Sequence, residues 1–270
     1  MRRLIATGAV ALCAAAAMIV ASLAFRGPLD GAEAALLDAV RAASGLEVAA
    51  NGHVQIELLP TPRILLSAVS LSQRGESPFA VVREVVGAPE IGPLLAGRIV
   101  LGEVTLDGAQ IALDRAPLGS LFSRSGVMRD APEIRLTDAR LSFGAAIIDK
   151  VEAGLSWAGG GRPFSVSGYG VYGGRPVEAA ITLSDADALS GGEAAPIRAR
   201  IEGGGARVTF DGTARVDGGP HFSGDLRARA ASLRETLQWL GLPAPRHTAP
   251  LTGFSLAGRA VADRKGVAIA

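Results

Sequence analysis

Aromatic side chains are scarce in this 270-residue chain: two tryptophans, two tyrosines and eight phenylalanines, 4% of the whole. So few rings exclude the stacking platforms on which single-stranded nucleic acids lie. Charge of one sign is lacking as well, with 27 Lys+Arg against 26 Asp+Glu and a formal net charge of +1. That balance excludes a disordered acidic or basic tail and the electrostatic footprint of a nucleic-acid binder. The one cysteine, Cys13, has no partner for an intrachain disulfide. His53, His221 and His247 stand far apart, and no HExxH, CxxC, GxSxG or P-loop pattern occurs. No catalytic, metal or cofactor site is therefore expected, and the chain reads as non-enzymatic.

What is plentiful is glycine: 35 residues, about twice average usage, without a G-X-Y period. With few aromatics and a positive mean hydropathy, this points to many short strands and turns. The longest charge-free stretch runs over 22 residues from Leu4 to Phe25, with Arg2 and Arg3 before it and Arg26 after it. A helix there is roughly 33 Å long, enough for a hydrocarbon core of about 30 Å. Leu4, Ile5, Leu12, Ile19, Val20, Leu23 and Phe25 are its anchoring side chains. The competing reading is a cleaved signal peptide ending near Ser22-Leu23-Ala24, although such apolar regions are usually about 7–15 residues long. The greater positive charge before the run places the N-terminus in the cytoplasm and the body outside it. Leu12 precedes Cys13 where a lipidation signal has a small residue, so Cys13 reads as part of the span. The chain thus divides into an anchor, 1–27, and a body, 28–270.

Asp30 to Ser44 has the pattern of an amphipathic helix, with Glu33 three residues after its cap and Gly45 at its stop. Beyond it the period becomes two. Val54, Ile56 and Leu58 mark one strand, and Ile64, Leu66, Val69 and Leu71 the next. Pro93-Leu94-Leu95-Ala96-Gly97 predicts a helical turn with proline first and glycine past the end. An internal repeat follows, in which 103–113 aligns with 133–143. Val104 matches Ile134, Leu106 matches Leu136, Ile111 matches Leu141, and Leu113 matches Phe143. Each copy reads as strand, polar turn and strand, that is, as a β-hairpin. Phe210-Asp211-Gly212 and Phe222-Ser223-Gly224 repeat a glycine at one place, and such glycines mark bends that curl a sheet. Ser232 and Glu235 form a capping box for a helix with Leu233, Leu237 and Leu240 on one face and Gly241 and Pro243 as its stop. Val261 to Ala270 resembles an unfinished strand, as though more chain belonged after it.

Three patterns dissolve on inspection. Gly168 to Gly173 fits GxGxxG, but Gly174-Arg175-Pro176-Val177 starts a strand where a dinucleotide site needs a helix, so a hairpin turn is expected. Asp185 and Asp187 begin like a calcium loop, yet Pro196 stands where the bidentate glutamate belongs. Arg227, Arg229 and Arg234 are the densest positive group and read as a solvated face.

The order of these elements resembles that of AsmA family proteins. The carriers are an N-terminal span, Ser44-Gly45-Leu46-Glu47-Val48, the stretch Gly52 to Pro62, Pro93 to Ile99 with Val104, Leu106 and Ile111 after it, and Ala231 to Gly241. The family usually has Thr-Gly at Ser44-Gly45, and its members are longer, with a C-terminal half not seen here. The resemblance implies a mainly β fold: a curled, groove-like antiparallel sheet with an N-terminal transmembrane helix and a few short helices. It also implies a bacterial inner-membrane, single-pass protein with its body in the periplasm, serving outer-membrane biogenesis. Its expected partners are the inner membrane and phospholipid, carried along an apolar groove as in bridge-like lipid-transfer proteins. A scaffold acting on envelope-assembly proteins is the alternative. Val104, Leu106, Ile111, Leu113, Ile134, Leu136, Leu141 and Phe143 are the candidate lipid-facing residues. Whether that face is open or a closed core stays undecided at this level.

Overall fold

Strands with one packed face alternate apolar and polar residues, and this alternation governs nearly all of the folded chain. The computed structural model describes residues 47–52, 54–57, 61–73, 75–95, 100–116, 133–157, 163–185, 188–189, 192–216, 220–242, 252–263 and 266–269. The apolar run 4–25, its anchoring residues and the helix expected over 30–44 lie outside them. Among the described residues no helix is long and apolar enough to cross a membrane.

The body is mainly β, a single 15-stranded sheet. Its first strands are β1 (Glu47–Ala50), β2 (Val54–Glu57), β3 (Arg63–Ser72) and β4 (Ala80–Pro89), followed by the helical turn α1 (Ile91–Leu95). Next come β5 (Leu101–Asp107), β6 (Gln110–Ala112), β7 (Glu133–Phe143), β8 (Ala146–Trp157), β9 (Phe164–Tyr172) and β10 (Arg175–Leu183). The rest is β11 (Ala195–Gly203), β12 (Ala206–Val216), β13 (Pro220–Ser232), the helix α2 (Leu233–Trp239), β14 (Thr252–Asp263) and β15 (Gly266–Ile269). From β7 to β15 each strand pairs with the next in sequence, as a meander. The segment expected to be an unfinished strand is divided between the end of β14 and the edge strand β15.

Two expectations need correction. The helical turn begins at Ile91, two residues early, so Pro93 is its third residue; the first turn has no intrahelical use for that N–H in any case. More consequentially, the two repeat copies are not hairpins and the sheet is not wholly antiparallel. In the first copy β5 and β6 follow one another along a single line, and both pair parallel with β7. The residues matched by sequence are direct neighbours: Val104 beside Ile134, Leu106 beside Leu136, Ile111 beside Leu141. Twenty residues, 113–132, connect β6 to β7, long enough for the crossover that a parallel pair requires.

The polar step that imitates a turn is a row of backbone kinks. Ala68, Gly108, Asp138 and Lys150 all have left-handed φ values, between 49° and 60°. The apolar positions step by three residues instead of two across each: Leu66 to Val69, Leu106 to Ala109, Leu136 to Ala139, Ile148 to Val151. β4 makes the same step between Val82 and Val85. One extra residue would turn every later side chain to the wrong face; because neighbouring strands take it at the same level, the apolar face is preserved. The row ends where a register shift between Asp149 and Glu152 lets β9 run straight. Arg83 spans the kinks on the outer face, 2.9 Å from Asp107 and 3.4 Å from Asp138. Those carboxylates, Asp107 first, hold its guanidinium above its usual pKa.

Candidate functional site

Register collects the inward side chains into rows that cross the whole sheet. One row runs Leu66, Val85, Leu106, Leu136, Ala153, Gly168, Ala179, Ile201, Val208, Ala228, Leu256 from β3 to β14. It contains no polar side chain. Its first five members are buried and its last six only half-buried. The next row does the same: Ile64 to Ile181 are buried, whereas Ala199, Phe210, Leu226 and Gly258 are half-exposed. A single apolar face is therefore filled over β3–β8; over β10–β14 it is buried at Ile181, Leu183, Ala195, Ile197, Ala214, Ala230 and Ala260 and half-exposed at the remaining positions of these two rows.

The sequence-predicted residues fall in the filled half. Val104, Leu106 and Leu136 are 0% exposed, and Ile111, Leu113, Ile134 and Leu141 are also buried. Phe143 is partly buried against the same cluster. All eight share the face expected of them, but side chains of the protein occupy it there. The openness is found one half-sheet further on, where the periodicity is equally clear and the sequence gives no sign of it.

Small residues explain the difference. The open half is lined by Ala179, Ala199, Ala228, Gly212, Gly224 and Gly258, with Phe210, Phe222 and Phe254 among them. Gly212 and Gly224 are cross-strand partners, and a Cβ on Gly212 would stand 2.3 Å from the Ser223 carbonyl and 2.6 Å from the Gly224 Cα. Backbones so close leave no room for a side chain at either position, so the lining is thin here. The repeated Phe-x-Gly thus sets its two glycines opposite one another on neighbouring strands.

One rim of the trough is covered by α2. Ser232 caps it, its Oγ accepting from the Glu235 N–H at 3.3 Å, and Gly241 follows with φ 67°. The helix carries Trp239 back over the β11–β12 turn toward the β9–β10 turn. The Trp239 Nε1–H donates to the Tyr172 carbonyl at 2.8 Å, and the two rings meet edge to face at 5.5 Å. Gly173, Gly203 and Gly204 make room for the indole. Sequence reading passed over Trp239; one of two tryptophans ending a capped helix, in a chain with Gly-Gly turns, was the available signal. The Gly168–Gly173 motif is the expected hairpin, with Gly173 and Gly174 left-handed at its tip.

The outer face is polar. Arg198, Arg200, Arg207, Arg227, Arg229 and Arg259 are all exposed on it. Arg207 and Arg200 hydrogen-bond the Glu202 carboxylate and hold it below the usual carboxylate range, the Arg207 bond first. Asp185 Oδ1 accepts from the Ala188 N–H at 2.9 Å, capping a turn. Among the described residues no group of three or more His, Cys, Asp or Glu is placed to hold a metal ion; His221 is exposed, and His53 and His247 lie outside them. No protein-family model matches the chain, and no curated protein matches it either.

Proposed function

We propose that this chain is a membrane-anchored periplasmic protein, similar to the AsmA family, that binds phospholipid acyl chains on the open half of its apolar face. By passing them along the sheet it would support outer-membrane biogenesis. The observation carrying this reading is the unbroken apolar lining, filled over β3–β8 and half-exposed at Ile201, Val208, Phe210, Leu226, Ala228, Phe254 and Leu256 of β11–β14. Each methylene withdrawn from water is stabilised by roughly 0.8 kcal/mol. A lining of alkyl and phenyl groups offers that gain along its length without a polar contact that would fix the lipid at one point. Residues Val208, Phe210, Leu226, Ala228, Phe254 and Leu256 are the contacts proposed.

Photo-crosslinking in membranes tests it. A crosslinker at Leu226 or Leu256 is expected to capture phospholipid; one at buried Leu136, or at Ala257 on the outer face, is not. No lipid adduct from either open position would overturn the proposal. Protein adducts from both, without lipid, would favour a scaffold acting on envelope-assembly proteins.

A further inference from the structure

The outer face is unevenly charged. Strands β4–β8 carry four cations and seven carboxylates; β11–β14 carry seven arginines and four carboxylates. Within the basic half the register gathers four arginines. Arg200, Thr209 and Arg227 form one cross-strand row, and Arg207 stands directly opposite Arg229. Like charges placed opposite one another destabilise a sheet unless something neutralises them. Glu202 is shared between Arg200 and Arg207, and among the described residues Arg227 and Arg229 make no ion pair. A depression of about 720 Å³ lies over this row, lined by Arg198, Arg200, Thr209, Asp211, Asp225 and Arg227. Of its two carboxylates, Asp211 is 3.2 Å from Arg198, and Asp225 stands in register between Asp211 and Arg259.

We propose that this patch binds a phosphate-class oxyanion, with Arg200 and Arg227 bracketing it across Thr209 and Arg207 and Arg229 completing the counter-charge. Arg200 and Arg227 are two strand spacings apart, roughly 10 Å, a gap their side chains can close around one tetrahedral anion. Guanidinium forks match phosphate oxygens in pairs, and the Thr209 hydroxyl supplies a further donor between them. A tetrahedral phosphate turns oxygens to both forks and to the hydroxyl at once, where a planar carboxylate has only two to share among them. The phosphate is either free or the headgroup of an anionic lipid at a membrane surface. The site stands whether or not the inner face carries acyl chains.

The full chain in neutral detergent is titrated with inorganic phosphate, with mixed micelles containing phosphatidylglycerol, and with micelles containing phosphatidylcholine. Binding of phosphatidylglycerol in preference to phosphatidylcholine identifies the headgroup; binding of phosphate alone identifies the free ion. In either case R227A/R229A is expected to weaken binding about 30-fold, at about 1 kcal/mol per arginine, and R227K/R229K to restore only part of it, because an ammonium is not a fork. Both pairs of substitutions are on exposed positions, and unchanged urea unfolding confirms the fold. Equal affinity in R227A/R229A, equal binding of both lipids, or binding of no anion would overturn the assignment. So would low-salt self-association that R227A/R229A abolishes without any anion binding, since the acidic half of a second copy would then be the occupant.

Discussion

Gly204 and Trp239 are fitted to each other. Gly204 has a left-handed φ of 57°, and a Cβ there would lie 2.3 Å from the indole Cε3. Gly204→Ala is therefore expected to lower unfolding stability by at least about 1–2 kcal/mol, the usual cost of a left-handed Cβ, with more from displacing the ring. Urea unfolding separates the two contributions. In a Trp239→Ala background the same substitution should cost only the backbone share, and a full-sized effect there would show that the indole and the turn do not interact.

At the scale of the element, the kinked strands make an unusual demand. Ala68 is exposed and left-handed, φ 53°, in the middle of β3. Glycine within a strand normally destabilises by roughly 0.5–1 kcal/mol, but relief of a strained Cβ is worth about 1–2 kcal/mol. Ala68→Gly should thus stabilise slightly, seen as a higher urea midpoint at unchanged slope; a loss of stability would mean that the kink is not where β3 carries its strain. In β11 the relevant group is Glu202, whose folded pKa is lowered by Arg207 and Arg200. A carboxylate depressed on folding adds stability above its unfolded pKa, and this is lost as pH falls through the folded value. Unfolding measured from about pH 6 down to about pH 3 should show wild type losing its advantage over Glu202→Gln on acidification. Parallel pH curves for the two proteins would deny the carboxylate that role. The effect is small, since the group is solvent-screened.

For the whole molecule, one sheet does two jobs because its lining changes size along its length. Leucines, isoleucines and valines fill the inner face over β3–β8, whereas alanines and glycines alternate with larger groups over β10–β14. Leu136→Ala in the filled half should cost about 2–5 kcal/mol, as buried leucine truncations do. Leu226→Ala in the open half leaves no enclosed cavity and should cost well under half as much. Equal costs in thermal or urea unfolding would mean that the open half is packed as tightly as the rest. The charge asymmetry of the outer face belongs to this scale too: a chain of net charge +1 is acidic on one half of its sheet and basic on the other.

Local periodicity determined which side chains share a face. The spacing of Ile64, Leu66, Val69 and Leu71, the matched anchors of the repeat, the Gly-Gly hairpin and the Ser232 cap could all be read in advance, because each is fixed by residues within a few positions. Pairing was another matter. Val104 beside Ile134 was visible as a likeness but not as a parallel ladder, since a left-handed residue and a two-strand turn leave the same polar gap in a pattern. Nor could alternation tell a filled face from an open one. Leu136 and Leu226 occupy the same kind of position along their strands, and only the tertiary packing around each decides which of them meets other side chains. The same holds for Arg207 and Arg229, 22 residues apart in the chain, whose opposition exists only once β12 and β13 are in register.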